Sequence, residues 1–216
     1  MASFLMFKHC LNYRMLYLHQ NSLMKKILIM FGALWVAGAA QAANWKVDAS
    51  HSNVKFSITH LMVSEVEGNF RVYDGSISAS KEDFTDADIQ FSVDVNSINT
   101  DNNSRDEHLK GDDFFNAATF PKMTFKSTSF KKTGDKQYVL EGNLTIRDVT
   151  KPVSFKVNYY GQTKDPWGNT KAGFKASSTI KRQDYKLTWN KLTEAGGAVV
   201  SNEVEIKLNL EFDLKK

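Results

Sequence analysis

The side chains best suited to chemistry in this 216-residue chain are histidines and a short charged cluster. His51, His60 and His108 could together bind a zinc ion, and Asp106 or Glu107 could add a carboxylate ligand. Their spacing matches no compact metal-binding motif. His51 and His60 also have opposite parity, so a regular strand sends them to opposite faces. We therefore predict no metal site and no bound cofactor.

Nucleophilic catalysis has little support in the sequence. The single cysteine, Cys10, lies in the N-terminal leader described below, and no serine sits in a Gly-x-Ser-x-Gly elbow. Because catalytic triads assemble in space rather than in sequence, an unrecognised acid–base site remains one alternative, with His60, Asp106 or His108 as acid or base. The prediction is that the protein is not an enzyme and has no catalytic residue.

Residues 1–42 are predicted to be a leader that is removed. Residues 24–42 read MKKILIMFGALWVAGAAQA, with two lysines, an apolar stretch, and small residues where a signal peptidase reads the chain. The apolar stretch is shorter than the roughly 18 residues of a membrane-spanning helix. We expect cleavage after Ala42 and export to the periplasm. Residues 1–23 precede a signal peptide that is already complete, so we interpret Met24 as the natural start, the alternative being an elongated leader.

Removal of the leader changes the charge balance. The chain has 28 Lys and Arg against 24 Asp and Glu, and four of the basic residues but none of the acidic ones precede Ala43. Residues 43–216 are therefore balanced in charge, which disfavours nucleic-acid binding because phosphate neutralisation needs surplus Lys and Arg. They contain no cysteine and so no disulfide. They are long enough for a single domain with a sizeable core, and no integral membrane segment is expected after cleavage.

The apolar residues of 43–216 alternate with polar ones at a period of two, which is typical of β-strands with one buried face. The clearest run is residues 203–214, EVEIKLNLEFDL. Similar runs predict eight or nine strands, separated by turn signals such as Asp74-Gly75. Such an antiparallel sheet either pairs as a sandwich or closes as a barrel, and the pattern alone leaves that choice open. A short helical turn is predicted at residues 81–84.

One helical insertion is predicted over residues 101–111. Spacings of three and four place Arg105, His108 and Leu109 on one face of this helix. In one interpretation Arg105 or His108 faces an anionic or polar headgroup at the mouth of a pocket. In the other, Arg105 and Asp106 tie the insertion to neighbouring strands while Leu109 closes one end of the barrel. The sequence favours neither.

The inward-facing positions of the strands are rich in Phe, Val, Ile and Leu, so any cavity would be apolar. In a barrel without a ligand the same residues would be ordinary core. For His60, a hydrogen-bonded histidine at the rim is favoured over a contact with a headgroup. The candidate pocket-lining residues are Val54, Phe56, Ile58, His60, Phe91, Val93, Phe125, Leu140 and Leu144. The candidate residues at the pocket mouth are Arg105, His108, Phe115 and Phe120.

Several motifs of residues 45–214 are shared with one protein family. They include WKVDASHSNVKFSITHL at 45–61, SINTDNNSRDEHLKGDDFFNAATFP at 97–121 and LTIRDVTKPV at 144–153. In these motifs the chain resembles the YceI family of periplasmic lipid-binding proteins, with Asp148 where that family usually has glycine. The resemblance implies an extended, eight-stranded, lipocalin-like antiparallel β-barrel around a long apolar pocket. It also implies a polyisoprenoid or another long-chain lipid as ligand, and no shared catalytic activity.

The predicted function is therefore periplasmic binding, carriage or storage of a long-chain isoprenoid or similar amphiphilic lipid. Burial of one methylene contributes roughly 0.8 kcal/mol, whereas association costs on the order of 4–15 kcal/mol. A chain of about twenty buried carbons would thus bind tightly without a special headgroup contact. The alternatives are a lipid-modifying enzyme and a protein-interaction module whose core is filled. The oligomeric state is left open, a homodimer being one option.

Overall fold

The computed structural model describes residues 41–192 and 197–215. The predicted leader, with its signal peptide at residues 24–42, lies outside the described residues except for Gln41 and Ala42. No helix among the described residues is long and apolar enough to cross a membrane. The elements are β1 (Ala43–Val47), β2 (Asn53–His60), β3 (Ser64–Phe70), β4 (Tyr73–Ala79), β5 (Asp88–Asp94), β6 (Ile98–Asn99), α1 (Asn103–Lys110), β7 (Lys122–Gly134), β8 (Gln137–Ile146), β9 (Val149–Lys164), β10 (Thr170–Lys181) and β11 (Val200–Lys215), with short 3₁₀ helices at Ala49–His51, Val95–Ser97 and Arg182–Tyr185.

The strands form one antiparallel sheet that closes on itself. The order is β1-β4-β5-β7-β8-β9-β10-β11, and β11 pairs back onto β1, where Trp45 lies opposite Leu214. Closure leaves no free edge along this ring, which is how an all-antiparallel sheet avoids exposing unpaired backbone groups. The prediction of an eight-stranded antiparallel barrel is confirmed, and the sandwich is excluded.

At some positions in the barrel, two strands lie end to end and together form one strand position of the wall. β1 and β2 run one after the other along β11, with Val47 opposite Phe212 and Asn53 opposite Asn209. β4 and β3 pair with β1 and β2 in turn, and β5 and β6 pair with β4 and β3. The strands β2, β3 and β6 therefore extend the wall beyond β1, β4 and β5 and lengthen the barrel.

The turn between β4 and β5 closes one end of the barrel, which we call the closed end. Phe84 is only 1 % exposed there, and its ring centroid lies 5.4 Å from that of Trp45, 5.5 Å from Tyr159 and 5.3 Å from Phe174. The prediction of a helical turn at residues 81–84 is wrong, because these residues form a single hydrogen-bonded turn rather than a helix. Phe84 has a φ of 59°, which breaks any right-handed helix and turns its ring into the core.

Helix α1 lies at the other end, between β6 and β7, and confirms the predicted helical insertion. Asn102 caps it, because its side-chain oxygen accepts a hydrogen bond from the Arg105 backbone N–H at 3.0 Å. Gly111 follows the last turn, and its N–H donates to the His108 carbonyl at 3.1 Å. The sequence thus places the charged residues of α1 beside the end of the barrel opposite Phe84.

Candidate functional site

The barrel encloses a cavity of about 430 Å³, within the roughly 300–1,000 Å³ that small-molecule sites occupy. Residues from Val200 to Phe212 on β11 line it. A strand rises about 3.3 Å per residue, so the cavity follows on the order of 40 Å of this strand. Its wall is built mainly from the alternating apolar residues that the sequence pattern points inward. The cavity is therefore long, narrow and apolar.

All of the predicted pocket-lining residues lie on this wall. Phe56, Phe91 and Phe125 point into the barrel and are nevertheless only partly buried, because their rings face the cavity rather than other side chains. The full set on the wall is Val54, Phe56, Ile58, His60, Phe91, Val93, Phe125, Leu140 and Leu144. Their role in binding a ligand remains a prediction.

Glycines opposite the lining phenylalanines are a feature that sequence reasoning missed. Phe56 and Gly68 are directly paired across β2 and β3, and Phe91 and Gly75 across β5 and β4. A methyl group on either glycine would overlap the facing ring, and the same holds for Gly142 and the ring of Phe125. The glycines let these rings lie flat against the wall. Alternation of glycine with apolar residues, as in Gly75 and Ile77, is the signal that could have revealed this.

The predicted mouth residues separate into two groups. Arg105, His108 and Phe115 line the cavity, but Phe120 does not. The ring of Phe120 instead lies under the guanidinium of Arg147, 5.6 Å from the guanidinium carbon to the ring centroid. Arg147 also donates hydrogen bonds to the main-chain carbonyls of residues 112 and 114, which fastens the segment that precedes Phe120.

Arg105 is tied to the strands as well as to the cavity. Its Nε donates to Thr100 Oγ1 at 2.8 Å, and its Nη2 donates to the Thr100 carbonyl at 2.7 Å. Asp106 is 6 % exposed and accepts from both the N–H and the hydroxyl of Thr100. Arg105 and Asp106 therefore fasten the helix to the residue that follows β6, as one of the two interpretations expected. Arg105 and Leu109 also line the cavity. Within the described residues, Nη1 of Arg105 makes no hydrogen bond.

Arg182 is a second arginine on the cavity wall, and sequence reasoning missed it. It is 3 % exposed, and its Nη1 donates to the carbonyls of Leu187 and Trp189, both at 2.7 Å, while its Nε donates to the Ser201 carbonyl at 2.8 Å. No carboxylate lies within ion-pair distance among the described residues, and burial lowers the pKa of Arg182. Phe174 and Ala176 point into the barrel, and Arg182 continues their alternation. This alternation is the sequence signal that could have predicted its inward position.

The two cavity histidines differ in their surroundings. The ring of His108 meets the rings of Phe114 and Trp189 edge-on, at centroid distances of 5.0 and 5.4 Å, and its Nε2 lies 3.6 Å from Asp113 Oδ2. The imidazole of His60 lines the cavity without a hydrogen-bond partner among the described residues, so the expected rim hydrogen bond is not present there.

The titratable residues on the cavity wall all have basic side chains. They are concentrated at the end that holds α1, as Arg105, His108 and Arg182, and Asp and Glu are absent from the wall among the described residues. His108 is exposed and Arg105 is partly exposed, so the cavity reaches the surface at this end. We call this end the mouth.

A charged cluster on the outer surface involves the remaining histidine. Asp48, His51 and Glu211 place one ligand atom each within 4.8 Å of one another. However, the Lys171 ammonium lies 2.9 Å from Asp48 Oδ2, 3.2 Å from Glu211 Oε1 and 2.6 Å from Asp213 Oδ1. This single cation already pairs with all three carboxylates. The cluster is an ion-pair network that fastens the break between β1 and β2 to β10 and β11, and the absence of a metal site stays a prediction.

Fold and site together define a class of protein, the antiparallel barrels that enclose an elongated apolar cavity. Within that class the chain belongs to the YceI-like family, whose domain model matches residues 45–212. Its relatives include Protein YceI of Salmonella newport, 39 % identical over 193 residues that cover 87 % of this chain and 97 % of that protein. A UPF0312 protein of Yersinia pestis is 40 % identical over 186 residues, covering 85 % and 93 % of the two chains.

Solved structures share the fold. A YCEI protein of Campylobacter jejuni is 30 % identical with a TM-score of 0.63, covering 73 % of this chain and 90 % of that one. BcnA of Burkholderia cenocepacia has a TM-score of 0.67 at 23 % identity, covering 76 % and 98 %. A polyisoprenoid binding domain from Saccharophagus degradans has a TM-score of 0.61 at 19 % identity, covering 79 % and 98 %. At these low identities, the similarity to BcnA and to the Saccharophagus degradans domain shows a shared fold alone.

Proposed function

We propose that this protein binds a long-chain isoprenoid or a similar amphiphilic lipid inside the barrel. The observation that carries the proposal is the apolar cavity that follows β11 from Val200 to Phe212. The similarity in fold to a domain described as polyisoprenoid binding supports the same ligand class. A barrel filled by its own side chains would have favoured a protein-interaction module, and the open cavity argues against that alternative.

The energetics of the cavity suit a long hydrocarbon chain. Its wall offers apolar carbon on all sides, and burial of each methylene contributes roughly 0.8 kcal/mol. Association costs on the order of 4–15 kcal/mol, so a chain of about twenty carbons would be held firmly once it is enclosed. A ligand that filled only part of the length would bind weakly. The cavity therefore selects for chain length.

We propose that the protein acts in the periplasm as a carrier or store of this lipid. The first described strand, β1, begins at Ala43, directly after the predicted cleavage site. Expression of the full sequence in a Gram-negative host, followed by mass spectrometry of the exported protein, tests this. A mass that begins at Ala43 is expected, and protein that retains residues 24–42 would contradict export by cleavage.

We propose binding without catalysis. Among the candidate acid–base groups, the Asp106 carboxylate accepts hydrogen bonds from the N–H and the hydroxyl of Thr100. No described residue forms a hydrogen bond that orients the imidazole of His60. A bound lipid should therefore be recovered chemically unchanged after long incubation. Turnover of the lipid that is lost in His60→Ala or His108→Ala would favour the enzyme alternative instead.

Native extraction is the decisive experiment for ligand binding. The protein is purified without detergent and extracted with organic solvent, and the released lipids are identified by mass spectrometry. Ala176 lies on the cavity wall and is 8 % exposed, so Ala176→Trp should fill the cavity and abolish lipid recovery. The outward neighbour provides the control, Lys175→Trp, which should retain lipid. Repeated empty extractions of the unmodified protein, with no retention of added polyprenyl lipid, would overturn the proposal.

A further inference from the structure

Three consecutive apolar side chains project into solvent at the turn between β2 and β3. Leu61 is 42 % exposed, Met62 79 % and Val63 83 %. We call residues 61–63 the apolar tip. Val199, which directly precedes β11, lies beside it, because the Leu61 N–H donates to the Val199 carbonyl at 2.9 Å. Exposure of three neighbouring large apolar residues is unusual for a surface turn, where glycine and small polar residues prevail.

Leu192 adds to the same apolar surface. Leu192 is 69 % exposed and pairs with Ala198, and the Val199 N–H donates to the Lys191 carbonyl at 2.9 Å. Leu192 and the tip are thus both held to the short segment formed by Ala198 and Val199. The combined surface belongs to two loops that meet at the mouth.

The backbone of the tip is also unfavourable for its residues. Leu61 has a φ of 50° and Met62 a φ of 59°, a region that suits glycine or asparagine rather than bulky side chains. Two costs, strained backbone and exposed apolar surface, therefore fall on the same two residues. Violations of local rules that coincide in this way are expected at functional sites.

The apolar tip lies at the rim of the cavity. His60 immediately precedes it, Val199 accepts its hydrogen bond, and Val200 follows Val199; all three line the cavity. Whatever covers the tip therefore also covers the mouth, through which a ligand enters and leaves.

We propose that the apolar tip docks the mouth onto the surface of an anionic lipid bilayer. The inference rests on the proposed function, because a long-chain lipid that left the cavity through water would expose its whole apolar length. Contact between the mouth and a bilayer removes that exposure. A bilayer also accepts isolated apolar side chains without a shaped partner surface.

The charge of the mouth specifies the kind of bilayer. Arg105 lies partly exposed on the cavity wall at this end, and Lys191 is exposed beside Leu192. Between His60 and Ser64 the tip itself carries no carboxylate. Basic residues beside inserted apolar ones favour anionic headgroups over zwitterionic ones.

Vesicle co-sedimentation tests the proposal. Protein expressed from the full 216-residue sequence is mixed with phosphatidylcholine vesicles, with or without phosphatidylglycerol. Binding to the anionic vesicles is expected, with at least a tenfold loss in the double variant Leu61→Asn/Met62→Asn. Asparagine tolerates a positive φ, so this variant should fold as well as the unmodified protein. Trp167→Ser removes an apolar side chain that is 84 % exposed in the β9–β10 turn at the closed end and should leave vesicle binding unchanged.

The outcomes separate this proposal from ligand binding. Lipid recovered by native extraction, measured without vesicles, should be the same in the double variant and the unmodified protein. Equal vesicle binding by both, or no vesicle binding by the unmodified protein, would overturn docking while leaving ligand binding intact. A dimer in analytical ultracentrifugation that dissociates in the double variant would assign the tip to a second copy of the chain, and would also overturn the proposal.

Discussion

The ring of Phe91 lies across Gly75 on the neighbouring strand, and the two residues are directly paired in the sheet. A methyl group at position 75 would overlap the ring, so the ring rests where a side chain would otherwise stand. Phe91 lines the cavity. Gly75 therefore sets how far this ring protrudes into the space available to a ligand.

Gly75→Ala should narrow the cavity. The three atoms nearest to the added methyl all belong to the Phe91 ring, so the ring can turn inward while the strands stay paired. We expect less lipid recovered per protein, and a loss of about 1–3 kcal/mol in the free energy of unfolding from crowding. Native extraction and urea unfolding measure the two effects.

Gly173→Ala is the matched control for this change, because the nearest atom to its added methyl is Tyr160 Cβ at an ordinary 3.5 Å. Its lipid content should match that of the unmodified protein. Replacement of the ring in the double variant Gly75→Ala/Phe91→Leu should restore lipid recovery. Undiminished lipid in Gly75→Ala alone would show that the glycine does not set the cavity width.

Arg182 should be essential for the stability of the loop at the mouth. Its guanidinium donates to the carbonyls of Leu187, Trp189 and Ser201, and removal leaves these acceptors without their donor. Arg182→Met should lower the free energy of unfolding by about 3 kcal/mol, and Arg182→Lys should recover only part, because an ammonium lacks the planar fork. Urea unfolding compares both variants with Lys181→Met. Lys181 is an exposed neighbour, so this substitution should leave the free energy of unfolding unchanged. Equal stability of Arg182→Met would mean that the carbonyls find water instead.

The sequence predicts the direction of side chains better than the course of the strands. The alternation in residues 203–214 corresponds to β11, and its inward set, including Ile206 and Leu208, lines the cavity. By contrast, the inward parity is odd at Trp45 and even at Val54, because the 3₁₀ turn between β1 and β2 shifts it. The alternation pattern predicts β1 and β2 as separate strands and does not show that they lie end to end along β11.

Burial of a charged residue is also hard to predict. Parity points Arg182 inward, but arginine is rarely buried, and its carbonyl acceptors come from a loop with no repeating pattern. Phe120 shows the reverse difficulty: it is apolar and follows the helix, yet its ring contacts the Arg147 guanidinium and does not line the cavity. Both outcomes depend on long-range contacts that local patterns do not encode.

The Asp48 carboxylate should make stability depend on acid pH. Hydrogen bonds from Ser50 and then from Lys171 and His51 hold the pKa of Asp48 well below its usual range. A lowered pKa means stability that is present above the unfolded pKa of about 3.9 and is lost as pH falls through the folded value. The difference in unfolding free energy between the unmodified protein and Asp48→Asn should therefore shrink below about pH 4, separately from the loss that follows deprotonation of His51 at higher pH.

The matched control for Asp48 is Asp88→Asn, on an exposed position of β5. Urea unfolding at a series of pH values should show no comparable acid-dependent difference for that variant. A difference for Asp48→Asn that persisted unchanged to strongly acid pH would mean that the ion-pair network does not hold the carboxylate ionised.

His51 should contribute with the opposite pH dependence. Its Nδ1 lies 2.8 Å from Asp48 Oδ2, and the hydrogen bond to that carboxylate raises the pKa of the imidazole. A raised pKa means stability that is fully present below the unfolded pKa of about 6.5 and is lost as pH rises through the folded value. The stability advantage over His51→Gln should thus be greatest in mildly acid solution and vanish in alkaline solution. Nuclear magnetic resonance titration should place the imidazole pKa above that of His51 in Asp48→Asn, and equal values would contradict the pairing.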